Sequence, residues 1–146
     1  MIGLLQRVTS ASVRIDGRTA GEIGSGLLVL VGVVPADGQA QADRLLQRLL
    51  AYRVFADDQG RMNRSLRDTG GGLLLVPQFT LAADTRQGNR PGISTAAAPE
   101  LARAQFDYLV GRARAEWPQT AAGVFGADMQ VGLVNDGPVT FWLEVD

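Results

Sequence analysis

Leu27-Leu28-Val29-Leu30-Val31-Gly32-Val33-Val34 is a continuous apolar run broken only by one glycine. Recurring valine and the interrupting Gly32 both disfavour a helix. The run is far too short to cross a membrane. It reads as a strand buried on both faces. Toward the N-terminus, Val13, Arg14 and Ile15 alternate apolar and polar and meet a turn at Asp16-Gly17. Arg18 to Ile23 then returns as the second arm of a hairpin, and Gly24 and Gly26 bracket the turn that follows.

Toward the C-terminus the period changes. Over residues 40–53, Leu45, Leu46, Leu49 and Leu50 share one helical face, with Arg44, Gln47 and Arg48 opposite. Val54-Phe55 reads as a short strand, and Asp57-Asp58-Gln59-Gly60 as a turn. Gly70-Gly71-Gly72 leads into a second buried strand, Leu73 to Val76. Residues 84–97 lack periodicity and form a long loop. Pro99 suits the first position of a helix over roughly 99–115, whose stripe is Leu101, Phe106, Leu109, Val110 and Ala113. The chain ends in strands over Ala127 to Val134 and Val139 to Val145. No repeat or boundary divides it, so residues 1–146 read as one domain. The class expected is α+β, with a mostly antiparallel, barrel-like sheet and two main helices.

Composition narrows the chemistry. The chain holds no His and no Cys, and all 14 basic residues are arginine. This excludes imidazole-based triads, His/Cys zinc sites, Schiff-base lysines and the phosphate-loop lysine. Any catalysis must use Asp, Glu, Thr, Ser, Tyr, Arg, backbone dipoles or groups of the substrate. Net charge is −1, which argues against wholesale phosphate neutralisation. The start has no signal-peptide pattern and no run spans a membrane, so a cytoplasmic protein is expected. No metal, cofactor or DNA partner is expected either.

Three segments are more specified than packing needs. Pro77-Gln78-Phe79-Thr80-Leu81 follows a strand, and Pro77 cannot donate to a ladder. The amides of Gln78, Phe79 and Thr80 could then face a ligand, although the spacing alone favours an ordinary bulge in a core strand. Asn135-Asp136-Gly137-Pro138 is a turn signal, simplest as a hairpin, with Gly137-Pro138 a candidate cis bond. Arg86 and Arg90 could clamp a phosphate, or belong to a solvated loop. Gly123-Val124-Phe125-Gly126-Ala127 lacks the strand-before, helix-after context of a dinucleotide fingerprint.

Together these segments resemble the D-aminoacyl-tRNA deacylase family over essentially the whole chain. Gln6-Arg7-Val8, Arg53-Val54-Phe55, Gln78-Phe79-Thr80-Leu81, Gly123-Phe125-Gly126-Ala127-Met129 and Asn135-Asp136-Gly137-Pro138-Val139-Thr140 follow the family's order. Pro77 stands where the family usually has Ser. Gly92-Ile93 replaces a more usual Ser-Phe, which argues against a binding role for that loop.

The resemblance implies a homodimer with active sites at the subunit interface. It implies hydrolysis of D-aminoacyl-tRNA, and of mischarged glycyl-tRNA, at the acceptor end. Gln78, Phe79 and Thr80 would line the catalytic pocket. Gly137 and Pro138, with a cis bond, would enter the partner's pocket and exclude L side chains. Pro77, Phe125 and Met129 would contact substrate, and Arg7 would hold the Gly-Pro turn. Thr80 would position rather than attack, the terminal ribose 2′-hydroxyl assisting instead. Two other readings stay open: a chirality-relaxed deacylase of L-alanyl-tRNA, and a non-catalytic dimeric module binding a small ligand.

Overall fold

The computed structural model describes residues 1–146. Its sheet is organised on β1 (Ile2–Ile15). Along one edge runs antiparallel β8 (Gln130–Glu144), from Ile2↔Glu144 to Arg14↔Gln130. The other edge is shared. β3 (Gly26–Gly32) pairs with the first half of β1, and β2 (Arg18–Ile23) with the second, both antiparallel. β6 (Gly72–Pro77) continues the sheet parallel to β3, and β7 (Thr120–Ala122) continues it parallel to β6.

Parallel neighbours need long crossovers. These carry α1 (Gln39–Ala51) between β3 and β6, and α3 (Pro99–Glu116) between β6 and β7. β4 (Phe55–Ala56) and β5 (Met62–Arg64) form a separate small hairpin, followed by the one-turn α2 (Leu66–Thr69). β7 returns against β2: a Cβ on Gly21 would sit 3.0 Å from the Ala122 carbonyl oxygen. The sheet therefore nearly closes, and the α+β, mostly antiparallel, barrel-like expectation holds. No helix is long and apolar enough to cross a membrane.

The two-faced strand is real. Leu27, Val29 and Val31 join Leu45, Leu46, Leu49, Phe106 and Leu109 in the core beneath the helices. Leu28 packs the opposite way, with Val8, Ala11, Val13, Leu74 and Val76 inside the barrel. Alternation places successive side chains in two different apolar layers, so no polar position is left. β3 and β6 start so close together that any Cβ on Gly26 would collide with the Gly72 carbonyl. Asp37 is buried and accepts from the Met1 ammonium at 2.6 Å and the Val34 amide at 2.8 Å.

One expectation fails. Asn135 to Pro138 is not a hairpin between two strands. Both flanks pair with the same edge of β1, at Val8↔Asn135 and Gln6↔Thr140, so β8 is one strand with an outward bulge. Asn135 closes that bulge. Its Oδ1 accepts the Val139 amide at 3.0 Å, and its Nδ2 donates to Thr140 Oγ1 at 2.9 Å.

Candidate active site

β6 ends where its proline forces it to. Pro77 is the last residue in register with β3, opposite Val31. The next amide, Gln78 N–H, donates to the Val31 carbonyl at 2.8 Å. It is therefore already used, and the expectation of a free Gln78 amide is corrected. A 3-10 turn follows over Phe79–Ala82. Its first internal bond runs from Leu81 N–H to the Gln78 carbonyl at 3.2 Å. The amides of Phe79 and Thr80 precede that bond and have no partner within the turn.

The side chains on the turn are tied to each other. Gln78 Nε2 donates to Thr80 Oγ1 at 2.5 Å. The hydroxyl is thus an acceptor, with its own proton free to donate. The chain has no imidazole, and no carboxylate is hydrogen-bonded to the hydroxyl to activate it.

Beside the turn lies a cleft of about 620 Å³. Pro77, Gln78, Phe79, Phe125 and Met129, all singled out from sequence, line it. No charged residue does. Phe79 is 49% exposed, which leaves its ring open at the cleft. Thr80 lies outside the cleft wall in this chain.

The structure also adds residues that sequence reading passed over. Ile93 and Ala96 bring the 84–97 loop into the wall, contrary to the expectation drawn from its departures. Ala98, Pro99 and Ala102 bring in the start of α3. The usable signal was the loop's length and lack of periodicity. On the loop's other side, Arg86 grips Asp84 through two bonds of 2.8 and 2.7 Å. That contact, and the Arg86 amide, hold the Asp84 carboxyl below its ordinary pKa. No cluster of side chains suited to a metal ion is present.

Gly137 and Pro138 are not in this cleft. Their peptide bond is cis, and both residues are exposed at the tip of the β8 bulge. Arg7 supports the bulge from β1. Its Nε donates to the Asp136 carbonyl at 3.0 Å, and its Nη1 to the Val54 carbonyl at 2.7 Å. A carboxylate oxygen of Asp136 lies 3.5 Å from Nε. One chain thus carries a cleft and an exposed turn that do not meet.

Comparison with known proteins gives the chain its family. Residues 4–144 match the family model described as D-Tyr-tRNA(Tyr) deacylase. The chain belongs to the D-Tyr-tRNA(Tyr) deacylase family. Similar members include a D-aminoacyl-tRNA deacylase of Thioalkalivibrio sulfidiphilus, 63% identical over 99% of this chain and 97% of the relative. Another, from Pseudomonas putida, is 62% identical over 99% of this chain and 100% of the relative. Among solved structures, a c-Myc DNA Unwinding Element Binding Protein superposes with a TM-score of 0.94 at 36% identity, covering 100% of this chain and 99% of that one. A probable eukaryotic D-amino acid tRNA deacylase shares the fold at a TM-score of 0.86 and 14% identity, covering 99% and 98%. The deacylase family's fold therefore extends to sequences with little residual identity.

Proposed function

We propose that residues 1–146 act as one D-aminoacyl-tRNA deacylase domain, working in the cytoplasm on the ester between a D-amino acid and the terminal adenosine of tRNA. The observation that carries this is the uncharged cleft walled by Phe79, the first residue of a turn whose Phe79 and Thr80 amides are uncommitted. An aminoacyl ester is neutral at its reacting carbon and apolar in many side chains. It needs a pocket of this kind, and donors for the oxyanion that forms as the carbonyl is attacked. The Phe79 and Thr80 amides would supply those donors.

The site would be completed by a second copy. Gly137 and Pro138 project from the bulge, away from their own cleft. Val131, Leu133, Val134 and Trp142 are exposed on the same strand. An edge strand with this many exposed apolar side chains suits an isologous dimer, in which each bulge enters the other cleft. There the turn's carbonyls would accept the substrate α-amino group and occupy the space an L side chain needs. Glycine has no side chain to exclude, so mischarged glycyl-tRNA would also be cleaved.

Hydrolysis would proceed without a protein base. Water adds to the ester carbonyl while the terminal 2′-hydroxyl relays its proton. The bond to the ribose 3′-oxygen then breaks, and that oxygen takes the proton. The amino acid leaves as a carboxylic acid. Thr80 positions Gln78 at the rim.

Pro77 in the cleft wall, where the family usually has Ser, supports a second reading, a non-catalytic binding module. Release of D-Tyr from D-Tyr-tRNA with multiple turnovers supports the deacylase. Binding without release would leave only the module, and faster release from L-Ala-tRNA than from D-Tyr-tRNA would support relaxed chirality.

A further inference from the structure

We propose that Arg103 binds the phosphodiester backbone of the tRNA acceptor end where it leaves the cleft. This rests on the deacylase reading and adds a contact to it. The cleft wall carries no charge, yet the expected substrate is a polyanion whose nearest phosphate is one nucleotide from the ester. A cation is needed at the rim, and a chain with net charge −1 must place it locally.

Arg103 is that cation. It is exposed, on α3, next to the cleft residue Ala102. Its guanidinium carbon lies 5.0 Å from the centroid of the Phe125 ring, and Phe125 lines the cleft. Its Nη2 lies 3.3 Å from where a Cβ on Gly126 would be, and Gly126 also lines the cleft. Glu100 and Asp107 stand at i−3 and i+4 on the same helix, where ion pairs ordinarily form. Arg103 pairs with neither, and with no other carboxylate. It is turned to the cleft rim instead. The contact with the ring holds the guanidinium at the rim while its N–H groups stay free, the arrangement that suits a phosphate oxygen pair. Arg90 is unpaired too, but it shares its hollow with the Asp84 carboxylate, which repels phosphate.

The test compares two substrates and one binding equilibrium. D-Tyr-tRNA carries the backbone, whereas 3′-O-D-tyrosyl-adenosine carries the same ester without a phosphate. With Arg103→Gln, kcat/KM on D-Tyr-tRNA is expected to fall roughly tenfold, the loss of one charge-assisted contact. Activity on the adenosine ester stays within twofold of the unsubstituted protein. The slope of log affinity against log salt for an uncharged acceptor-stem RNA becomes shallower by about 0.7 to 0.9, and Arg103→Lys restores most of that slope. Equal losses on both substrates would show that Arg103 merely packs Phe125 and would overturn the proposal. So would an unchanged salt slope. If the unsubstituted protein hydrolyses neither ester, the deacylase reading falls, and the RNA titration still decides the role of Arg103.

Discussion

Arg7 bonds the carbonyl of Asp136 at 3.0 Å, joining the middle of β1 to the bulge that β8 makes away from it. The same guanidinium bonds the Val54 carbonyl at 2.7 Å, so one side chain spans two segments far apart in sequence. Hydrogen bonds to charged groups contribute about 1.5–3 kcal/mol each. Arg7→Lys keeps the charge but cannot fork to both carbonyls. The expected outcome is a loss of roughly tenfold or more in kcat/KM on D-Tyr-tRNA with the far-UV spectrum unchanged. Steady-state kinetics beside circular dichroism checks it.

Gly137 has φ of +131°, and a Cβ there would lie 2.7 Å from Val139 Cγ2 and 3.1 Å from Arg7 Nη2. Gly137→Ala must therefore displace the bulge, at a strain cost of order 1–3 kcal/mol. Because the bulge is exposed, the core is expected to survive. Activity on D-Tyr-tRNA should drop far more than the melting temperature does, as measured by deacylation and thermal unfolding on one preparation.

Thr80 Oγ1 accepts from the side-chain Nε2 of Gln78 and makes no hydrogen bond to a carboxylate or imidazole. Thr80→Ala is expected to keep deacylation within about tenfold, the scale of one lost neutral hydrogen bond. A substrate ending in 2′-deoxyadenosine, esterified at the 3′-oxygen, should lose most activity. Single-turnover rates on both substrates decide between positioning and attack, since a nucleophilic Thr80 would reverse the order.

Asp68 accepts from the Ser65 amide at 2.8 Å and from its hydroxyl at 3.1 Å, locking the start of α2. Those bonds, the backbone one first, lower the Asp68 pKa in the folded chain. A carboxyl with a depressed folded pKa contributes stability above its unfolded value, and that contribution is lost as pH falls through the folded pKa. Asp68→Ala should therefore lower the melting temperature by a constant amount from pH 5 to 8. The gap should narrow as pH falls below about 4. Calorimetry across pH 3 to 8 measures it.

Much of the fold was legible because it follows local periodicity. The α1 stripe of Leu45, Leu46, Leu49 and Leu50 and the two-faced run at Leu27 each report their own surroundings. The bulge was not legible. Asn-Asp-Gly-Pro signals a turn, but only the pairing of both flanks with one edge of β1 shows that the chain does not reverse. Parallel pairing of β3 with β6 likewise depends on where α1 leads the chain. At the site, the cleft residues Phe79, Phe125 and Met129 came from motif resemblance. The Gln78 amide was misjudged because its acceptor, Val31, lies far away in sequence. Ile93 departs from the family's usual residue and Arg103 belongs to no motif, and only tertiary packing sets them at the cleft.

The most direct test of chiral rejection is a parallel single-turnover assay on D-Tyr-tRNA, Gly-tRNA and L-Tyr-tRNA with protein in excess. Release from the first two well above the spontaneous rate, with L-Tyr-tRNA at the spontaneous rate, is the expected result. Comparable release of D- and L-tyrosine would contradict a wedge that excludes L side chains.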